Sequence, residues 1–399
     1  MVDTSFAQEL VGQLRESFGD ARYERVLAVR APGRTELAGN HTDHEGGEVI
    51  AAAVDRYIRG VFAPNGTDEL RVMSEGYGLT TVRASELGAR DEEHGSTAAL
   101  VRGMAALFAE RGFEPRGFDA YIVSDVPGGS GLSSSAAFEL ELGQAFNALW
   151  ADGALAAADL ALMAQRAERE WFGKPCGLMD QAAVALGGIQ HMDFADPTKL
   201  EAKSIDFDFA KHGFAVCIVA VGADHAANID DYAAVPKEMQ QVARELGKQV
   251  LSEVRPEDVL QAIPRLRERL GDRSVLRALH YYNEENLVER RVVALSEGNV
   301  KQFLELTRLS GTSSAMLLQN VSIGGSAEQP SMLAIVLAER LLMGRGAARV
   351  HGGGFGGTIQ AFVPFDVLDE FSKGMDAVFG DGACSVCNVD HEGARAEWI

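Results

Sequence analysis

The sequence predicts an α+β fold divided between two domains, and three observations support this prediction. The chain has 399 residues, more than a single hydrophobic core usually holds. Hydrophobic residues make up 46% and charged residues 24% of the sequence, as in ordinary globular proteins. Short apolar runs typical of strands alternate with longer segments of helical periodicity. We expect domains at 1–195 and 196–399, with the last residues folding back on the first, and a ligand cleft between them.

In the first domain, Phe6, Leu10, Leu14 and Phe18 recur at intervals of four and predict an amphipathic helix. A β-type run at 26–29 ends at Ala31-Pro32-Gly33, and a polar loop is predicted over 34–47. The other predicted elements are strands at 49–54 and 118–123 and helices at 98–111, 133–150 and 157–171.

In the second domain, a glycine-rich segment at 351–357 lies between two predicted strands at 347–350 and 359–363. This arrangement, with a helix and a last strand after it, is typical of a compact α+β domain. The other predicted elements are a strand at 214–221, a helix at 232–251, several helices within 256–345, a helix at 366–379 and a strand at 385–389.

Charge and cysteine content exclude several classes of function. The net charge is −21, which disfavours nucleic acids and anionic membranes as partners. No apolar run approaches the ~18–20 residues of a membrane span, and no secretory signal is visible, so a cytoplasmic protein is expected. Four cysteines are too few for a disulfide framework. Cys384 and Cys387 form the only close pair, which we interpret as strand residues.

A glycine-serine segment at 126–137 is the strongest chemical signal in the chain. Gly128, Gly129 and Gly131 leave the backbone free to approach a ligand, and serines follow at the start of a predicted helix. Unpaired N–H groups at a helix N-terminus bind phosphate well. An ordinary loop with an N-cap is the alternative. The segment matches neither the G-x-x-x-x-G-K-[ST] nor the G-x-G-x-x-G nucleotide motif.

Two further stretches carry candidate functional groups. The predicted loop 34–47 holds an arginine, an asparagine, two histidines and an aspartate between two strands, where functional residues are common. Asp180 lies where an apolar helix is predicted to begin, so the helix dipole alone would account for a carboxylate there. No protein-kinase or G-x-S-x-G hydrolase motif is present.

Four motifs together resemble those of the GHMP small-molecule kinases, in family order and spacing over almost the whole chain. The first looks like that of galactokinases in particular. The motifs are Pro32-Gly33-Arg34 with Gly39-x-His41-Thr42-Asp43, Pro127-Gly128-Gly129-Ser130-Gly131-Leu132-Ser133-Ser134-Ser135-Ala136, Gly177-Leu178-Met179-Asp180-Gln181, and Gly353-Gly354-Phe355-Gly356-Gly357.

The resemblance implies a ribosomal-protein-S5-like N-terminal domain, a ferredoxin-like C-terminal domain and an active site in the cleft between them. It implies a monomeric sugar kinase that transfers phosphate from ATP, with Mg²⁺, to the anomeric hydroxyl of galactose. Asp180 would be the catalytic base, and Arg34 would keep it ionised and stabilise the transferred phosphoryl group.

The resemblance also assigns the binding residues. Ser135 and Glu168 would hold Mg²⁺ through hard oxygen ligands. The residues implied to contact the sugar are Asn40, His41, Asp43, Gly177 and Tyr232. The role of Tyr232 has less support from the resemblance, because a tyrosine at the start of a helix is often a packing residue. His351 would pack beside the cleft. The residues implied to bind ATP are Gly129, Ser130, Gly131, Leu132, Ser133, Ser134 and Ser135.

Three positions depart from the galactokinase pattern: Glu36, Asn40 and His44. The family has an amide at position 36 and a glutamate at 40, so carboxylate and amide look exchanged. We hypothesise that Asn40 admits sugars modified at C6, such as a uronate, which a carboxylate would repel. Kinases for galacturonate, N-acetylgalactosamine or arabinose, and a non-catalytic sugar sensor, are the alternatives.

Overall fold

The protein is built on two β-sheets whose strands are mostly antiparallel. Across the ranges that the computed structural model describes (5–19, 23–126, 131–222, 229–355 and 357–399), the first sheet has eight strands and the second has four. The strands are β1 (Leu27–Ala38), β2 (Glu48–Pro64), β3 (Glu69–Ser74), β4 (Gly78–Arg83), β5 (Phe118–Ser124), β6 (Ile189–Asp193), β7 (Glu201–Ile205), β8 (Phe214–Ala220), β9 (Ala347–Val350), β10 (Thr358–Pro364), β11 (Cys384–Cys387) and β12 (Arg395–Trp398).

Helices cover both sheets. The helices are α1 (Ser5–Ser17), α2 (Thr97–Glu110), α3 (Ser134–Trp150), α4 (Ala157–Glu170), α5 (Met179–Leu186), α6 (Ile229–Glu245), α7 (Pro256–Leu270), α8 (Asp272–Ser296), α9 (Val300–Ser313), α10 (Pro330–Leu342) and α11 (Leu368–Phe379). None of the described helices is both long and apolar enough to cross a bilayer.

The first sheet has the strand order β12-β1-β2-β5-β3-β4, and β6 and β7 extend it from β2. Side chains alternate along β1, so Leu27 and Val29 pack into the core beneath helices α2–α5. Ala28 points to the opposite face and belongs to the apolar cluster of α1. The first sheet is therefore sandwiched between one helix and a layer of four.

The second sheet has the order β11-β8-β10-β9. Helices α10 and α11 cover one face. On the other face, Phe303 of α9 and Phe362 of β10 pack with ring centroids 5.0 Å apart. The same apolar cluster includes Leu37 and Ile50 of the first sheet, so it joins the two sheets and fixes the cleft between them.

Strand β1 is longer than predicted. The predicted end at 31–33 is wrong, because the strand continues to Ala38 and carries Arg34 and Glu36 within it. The register with β2 shifts between Pro32 and Gly33. Such a bulge accommodates a proline inside a strand. Arg34 is therefore a strand residue, more firmly positioned than the loop residue that we expected.

Most other predicted elements are confirmed with ends that differ by a few residues, but β2 continues ten residues beyond its predicted end at 54, to Pro64. Helix α6 ends at Glu245 rather than 251, and Gly247 follows it at φ 78°. β7 continues the first sheet past residue 195. β12, at the C-terminal end, pairs antiparallel with β1. The pattern did not predict β3 and β4.

One carboxyl group in the core of the first domain has no role in the site described below. Glu141 of α3 is fully buried, and among the described residues neither of its carboxyl oxygens has a hydrogen-bond partner. A Cβ at Gly60 would lie 2.6 Å from its Oε1, so glycine leaves the room for it. Burial raises the pKa of Glu141 well above its ordinary value.

Glu141→Gln is therefore expected to change how stability depends on pH. Above pH about 4.3 the unfolded chain releases this proton and the folded chain keeps it, so wild-type stability falls as pH rises. Glutamine removes that loss, which amounts to about 1.4 kcal/mol for each unit by which the folded pKa is raised. Denaturant unfolding in mildly acidic and neutral buffer checks this, with exposed Glu92→Gln as control. Equal pH dependence in all three proteins would contradict the expectation.

Candidate active site

Arg34 reaches the cleft from β1, one residue after the bulge at Pro32–Gly33. Its backbone N–H donates to the carbonyl of Leu132 at 3.0 Å. A Cβ at Gly33 would lie 3.0 Å from the same carbonyl, closer than side chains normally come. The absent side chain thus lets β1 lie against the segment that leads into α3.

Arg34 and Asp180 form a two-pronged ion pair across the cleft. Arg34 Nε donates to Asp180 Oδ1 and Nη2 donates to Oδ2, each at 2.6 Å. Arg34 Nη1 also donates to the carbonyl of Gly131. Such paired bonds fix both the position and the plane of a carboxylate. Asp180, in the first turn of α5, is thereby oriented by β1.

Ser133 adds a third bond to this carboxylate. Its backbone lies in the left-handed region (φ 62°), which is uncommon for a residue with a side chain. Its hydroxyl does not cap α3 and instead donates to Asp180 Oδ2 at 2.6 Å. The start of α3 therefore touches the candidate base directly. Of the residues expected to bind phosphate, Gly129 and Ser130 lie outside the described residues.

These neighbours determine the charge of Asp180. Burial would raise the pKa of its carboxyl group, but the Arg34 guanidinium, the bonds from Arg34 and Ser133, and the nearby Lys174 ammonium outweigh burial. The pKa of Asp180 is therefore below its ordinary value, so the group is an ionised carboxylate at neutral pH.

A cavity of about 60 Å³ lies beside Asp180. Its wall includes the sugar-contact candidates His41, Asp43, Gly177 and Tyr232. A larger cavity of about 840 Å³ shares these four residues. One cleft is therefore lined by β1, by the loop that follows β1, and by the first turns of α5 and α6.

Asp43 and Gly177 depend on each other. A Cβ at residue 177 would lie 1.6 Å from Asp43 Oδ2, so only glycine allows the carboxylate its place on the wall. Burial raises the pKa of Asp43. Sugar hydroxyls are suitable donors to such a carboxylate.

His41 and Tyr232 form the side of the cavity next to the glycine-rich segment 351–357. Their ring centroids are 5.5 Å apart, and a Cβ at Gly353 would lie 2.3 Å from the Tyr232 ring. Burial and the adjacent His44 lower the pKa of His41 to about 3, so its imidazole is neutral. Its Nε2 lies 3.0 Å from the carbonyl of Gly353 and must donate, because a carbonyl only accepts.

His351 lies deeper in the same region. It is buried, and its Nε2 lies 3.0 Å from the hydroxyl of Thr35 while its Nδ1 lies 3.2 Å from that of Thr358. The histidine thus ties β10 of the second sheet to β1 of the first, at Thr35, one residue after Arg34.

The structure places Glu36, rather than Asn40, on the cavity wall. Asn40 is fully buried, donates to Glu36 Oε2 (3.2 Å) and the carbonyl of Gly352 (2.7 Å), and accepts from Asn320 (2.9 Å). A direct bond from Asn40 to a sugar would require these bonds to break. Glu36 is in turn paired with buried Arg349 at 2.6 Å.

Ser135 and Glu168 meet between α3 and α4. Ser135 Oγ donates to Glu168 Oε1 at 2.9 Å, and Gln181 donates to Glu168 Oε2 at 2.8 Å. Glu168 is 2% exposed, whereas most glutamates lie on the protein surface. Helix α4 turns it inward, onto the start of α3.

Comparison with known proteins identifies the family. The GHMP kinases N terminal domain matches residues 99–188, and the galactokinase galactose-binding signature matches residues 13–64. A galactokinase of Streptomyces coelicolor is 33% identical over 371 residues, which cover 92% of this chain and 91% of that protein. The chain belongs to the galactokinase family. A galactokinase of Glaesserella parasuis is 29% identical, with 90% of each chain covered.

Solved structures show the same fold. The crystal structure of Lactococcus lactis galactokinase complexed with galactose has a TM-score of 0.82 at 24% identity, covering 98% of this chain and 100% of that one. Mevalonate kinase of Methanococcus jannaschii has a TM-score of 0.65 at 16% identity, covering 91% and 98%. The two-domain GHMP kinase fold predicted from the motifs is confirmed.

The Ser135–Glu168 pair fits the divalent cation that a galactokinase-family enzyme implies. The two residues offer a hydroxyl and a carboxylate oxygen at one point, and Mg²⁺ typically takes one or two protein oxygens plus phosphates and water. Within the described parts of the chain no group of three His, Cys, Asp or Glu residues could hold a metal by itself. The remaining ligands would come from the nucleotide and water.

Sequence reasoning missed Lys174 and Arg349. Lys174 Nζ donates to Glu168 Oε1 at 2.7 Å, and it lines the same cavity as Asp180. A lysine in Gly173-Lys174-Pro175 carries no pattern of its own, although its position three residues before Gly177 could have drawn attention. The only sign that Arg349 belongs to the site is its ion pair with Glu36, which lies more than three hundred positions away in sequence.

Gly177→Ala is expected to weaken sugar binding. The added methyl group would force Asp43 off the wall, and strain of about 1–3 kcal/mol corresponds to a rise in the KM for sugar of about fivefold to about 150-fold. Steady-state kinetics with each substrate varied checks this, since the KM for nucleotide should change much less. Gly88→Ala is the control, because a Cβ there meets nothing within 4 Å. An unchanged KM for sugar would contradict the expectation.

Proposed function

We propose that this chain phosphorylates the anomeric (C1) hydroxyl of galactose with ATP, giving galactose 1-phosphate and ADP. Membership of the galactokinase family supports the reaction class and the sugar. One observation carries the assignment of roles: Asp180 is held by Arg34 and Ser133 between the start of α3 and the cavity. This arrangement supports a role for one carboxylate between the phosphate and the sugar.

In the proposed mechanism, Asp180 accepts a hydrogen bond from the C1 hydroxyl and takes its proton as the oxygen attacks the γ-phosphorus. Because the carboxylate is ionised beforehand, no proton has to leave it first. Arg34 aligns the carboxylate and offers positive charge to the phosphoryl group. Positioning and electrostatics supply most of the catalysis in phosphoryl transfer.

On the phosphate side, Gly131, Leu132, Ser133 and Ser134 would present backbone N–H groups to the triphosphate, and Gly129 and Ser130, which precede them in sequence, are proposed to do the same. Ser135 and Glu168 would hold Mg²⁺, which neutralises phosphate charge when bound. On the sugar side, His41, Asp43, Tyr232 and the wall at Gly177 would orient the hydroxyls, with Glu36 in place of Asn40 as the polar group of that wall.

A panel of sugars in a coupled ADP-release assay tests the proposal. Galactose should give the highest kcat/KM, and galacturonate, N-acetylgalactosamine and arabinose should be poorer substrates. Preference for one of those sugars would assign a related sugar 1-kinase instead. Binding of ATP and galactose without ADP release would assign a sugar sensor.

The hypothesis that Asn40 admits a C6 carboxylate gains no support from the geometry, because Glu36 keeps a carboxylate on the wall. Asn40→Glu tests it: the relative turnover of galactose and galacturonate should stay unchanged if Asn40 has no contact with C6. On the family resemblance we also propose that the protein acts in the cytoplasm and that it is a monomer. Light scattering of the purified chain measures its molar mass and so tests the monomeric state.

A further inference from the structure

Lys174 is a cation at the place where the proposed metal ligands meet. Its ammonium donates to Glu168 Oε1 at 2.7 Å, and the same oxygen accepts from Ser135 Oγ at 2.9 Å. The other carboxylate oxygen is bound by Gln181. Lys174 therefore uses the oxygen that Ser135 and Glu168 would jointly offer to a divalent cation.

An ammonium group and a divalent cation cannot both use this oxygen. Glu168 is 2% exposed, and a buried carboxylate without a partner is costly. A cation close to Glu168 therefore stabilises this carboxylate beyond what the bonds from Ser135 and Gln181 supply. The structure supplies one from the chain itself.

The side chain of Lys174 is free to leave. It is 49% exposed, whereas its partner is buried. A lysine carries its charge on a flexible stem of four carbons, so the ammonium can move into solvent or towards an anion in the cavity without disturbing the core. This combination of a buried acceptor and an exposed donor suits an exchangeable contact better than a permanent one.

We propose that Lys174 holds the Ser135–Glu168 oxygen pair while the nucleotide site is empty, and that the incoming divalent cation displaces it. Lys174 then acts as a positioning residue: it keeps Glu168 oriented and opposes binding of a free metal ion before nucleotide arrives. This inference rests on the proposed function, because it takes Ser135 and Glu168 as the metal ligands.

The test is binding of Mn²⁺ alone, followed by electron paramagnetic resonance without nucleotide or sugar. Lys174→Met removes the competing charge and keeps a similar length, so we expect it to bind Mn²⁺ about tenfold more tightly than wild type. Lys174→Arg keeps a cation beside Glu168 and should bind Mn²⁺ as weakly as wild type. Lys174→Gln replaces the methionine variant if circular dichroism shows that the latter is unfolded.

Lys199→Met is the matched control, because it removes one positive charge from an exposed lysine paired with Asp196 at 3.1 Å. Equal Mn²⁺ affinity in wild type and Lys174→Met, or an equal gain in Lys199→Met, would overturn the inference. Mn²⁺ affinity is measured without turnover, so the two proposals fail separately. If the wild type phosphorylates a sugar but Lys174→Met binds Mn²⁺ no more tightly, only the role of Lys174 is contradicted. If the wild type is inactive on every sugar, only the proposed function is contradicted.

Discussion

Arg34→Met is expected to lower kcat by about 10²–10³-fold, the loss typical of removing one preorganised charge-stabilising donor from an active site. Arg34 binds both oxygens of Asp180 at 2.6 Å and also contacts the carbonyl of Gly131. Methionine keeps much of the apolar stem but removes the charge and these bonds. Steady-state ADP release with galactose measures the loss.

The same substitution should change the pH profile. In the wild type the pKa of Asp180 is below its ordinary value although burial acts to raise it. Without Arg34 the burial effect is largely unopposed and the pKa rises. The residual activity of Arg34→Met should therefore fall on acidification at a higher pH than wild-type activity, because protonated Asp180 cannot accept the sugar proton.

Arg71→Met is the control for Arg34→Met. Arg71 forms an ion pair of the same geometry with Asp119, at 2.6 and 2.8 Å, on β3 and β5 of the first sheet. Loss of that pair is expected to affect stability and not turnover. Equal losses of kcat in the two variants would show that Arg34 acts only through folding.

Asp180→Asn is expected to lower kcat by about 10²–10⁴-fold, the usual contribution of a general base. Asparagine has nearly the same shape, so Asp43, His41 and the wall at Gly177 remain and binding of galactose and ATP should be retained. Calorimetric titration of each ligand and steady-state kinetics together separate the loss of chemistry from loss of binding.

Asp119→Asn is the matched control for Asp180→Asn. Asp119 is 1% exposed, and the substitution likewise breaks an ion pair with an arginine, Arg71. It should keep its kcat while losing stability. Asp180→Asn with turnover within a few fold of wild type would mean that the carboxylate has only an electrostatic or structural role.

The sequence predicted those parts of the site that short motifs carry. The motif around Asp180 and the glycine-serine segment each lie at the start of a helix, and helix starts are readable from capping residues and apolar periodicity. The pairing of Asp180 with Arg34 was expected from the family resemblance. Its geometry, with Ser133 as third partner in a left-handed conformation, depends on contacts that no local pattern encodes.

The parts that the sequence did not predict depend on contacts between distant segments. Arg34 was placed in a loop because Pro32-Gly33 normally ends a strand, but the bulge against β2 keeps β1 intact. Asn40 was predicted to contact the sugar, which stays a prediction, and the residue of this segment that lines the cavity is Glu36, paired with Arg349 of β9. The positions of these side chains depend on which buried charged groups pair with each other in the fold. The spacing of residues along the sequence does not reveal such pairs.

The position of the phosphate in the product tests the central claim most directly. Phosphorus NMR of the product from galactose and ATP shows which sugar proton couples to phosphorus. Coupling to the proton on C1 is expected, because in the proposed mechanism Asp180 takes the proton of the anomeric hydroxyl. Coupling to the protons on C6, or release of free phosphate without a sugar phosphate, would contradict it.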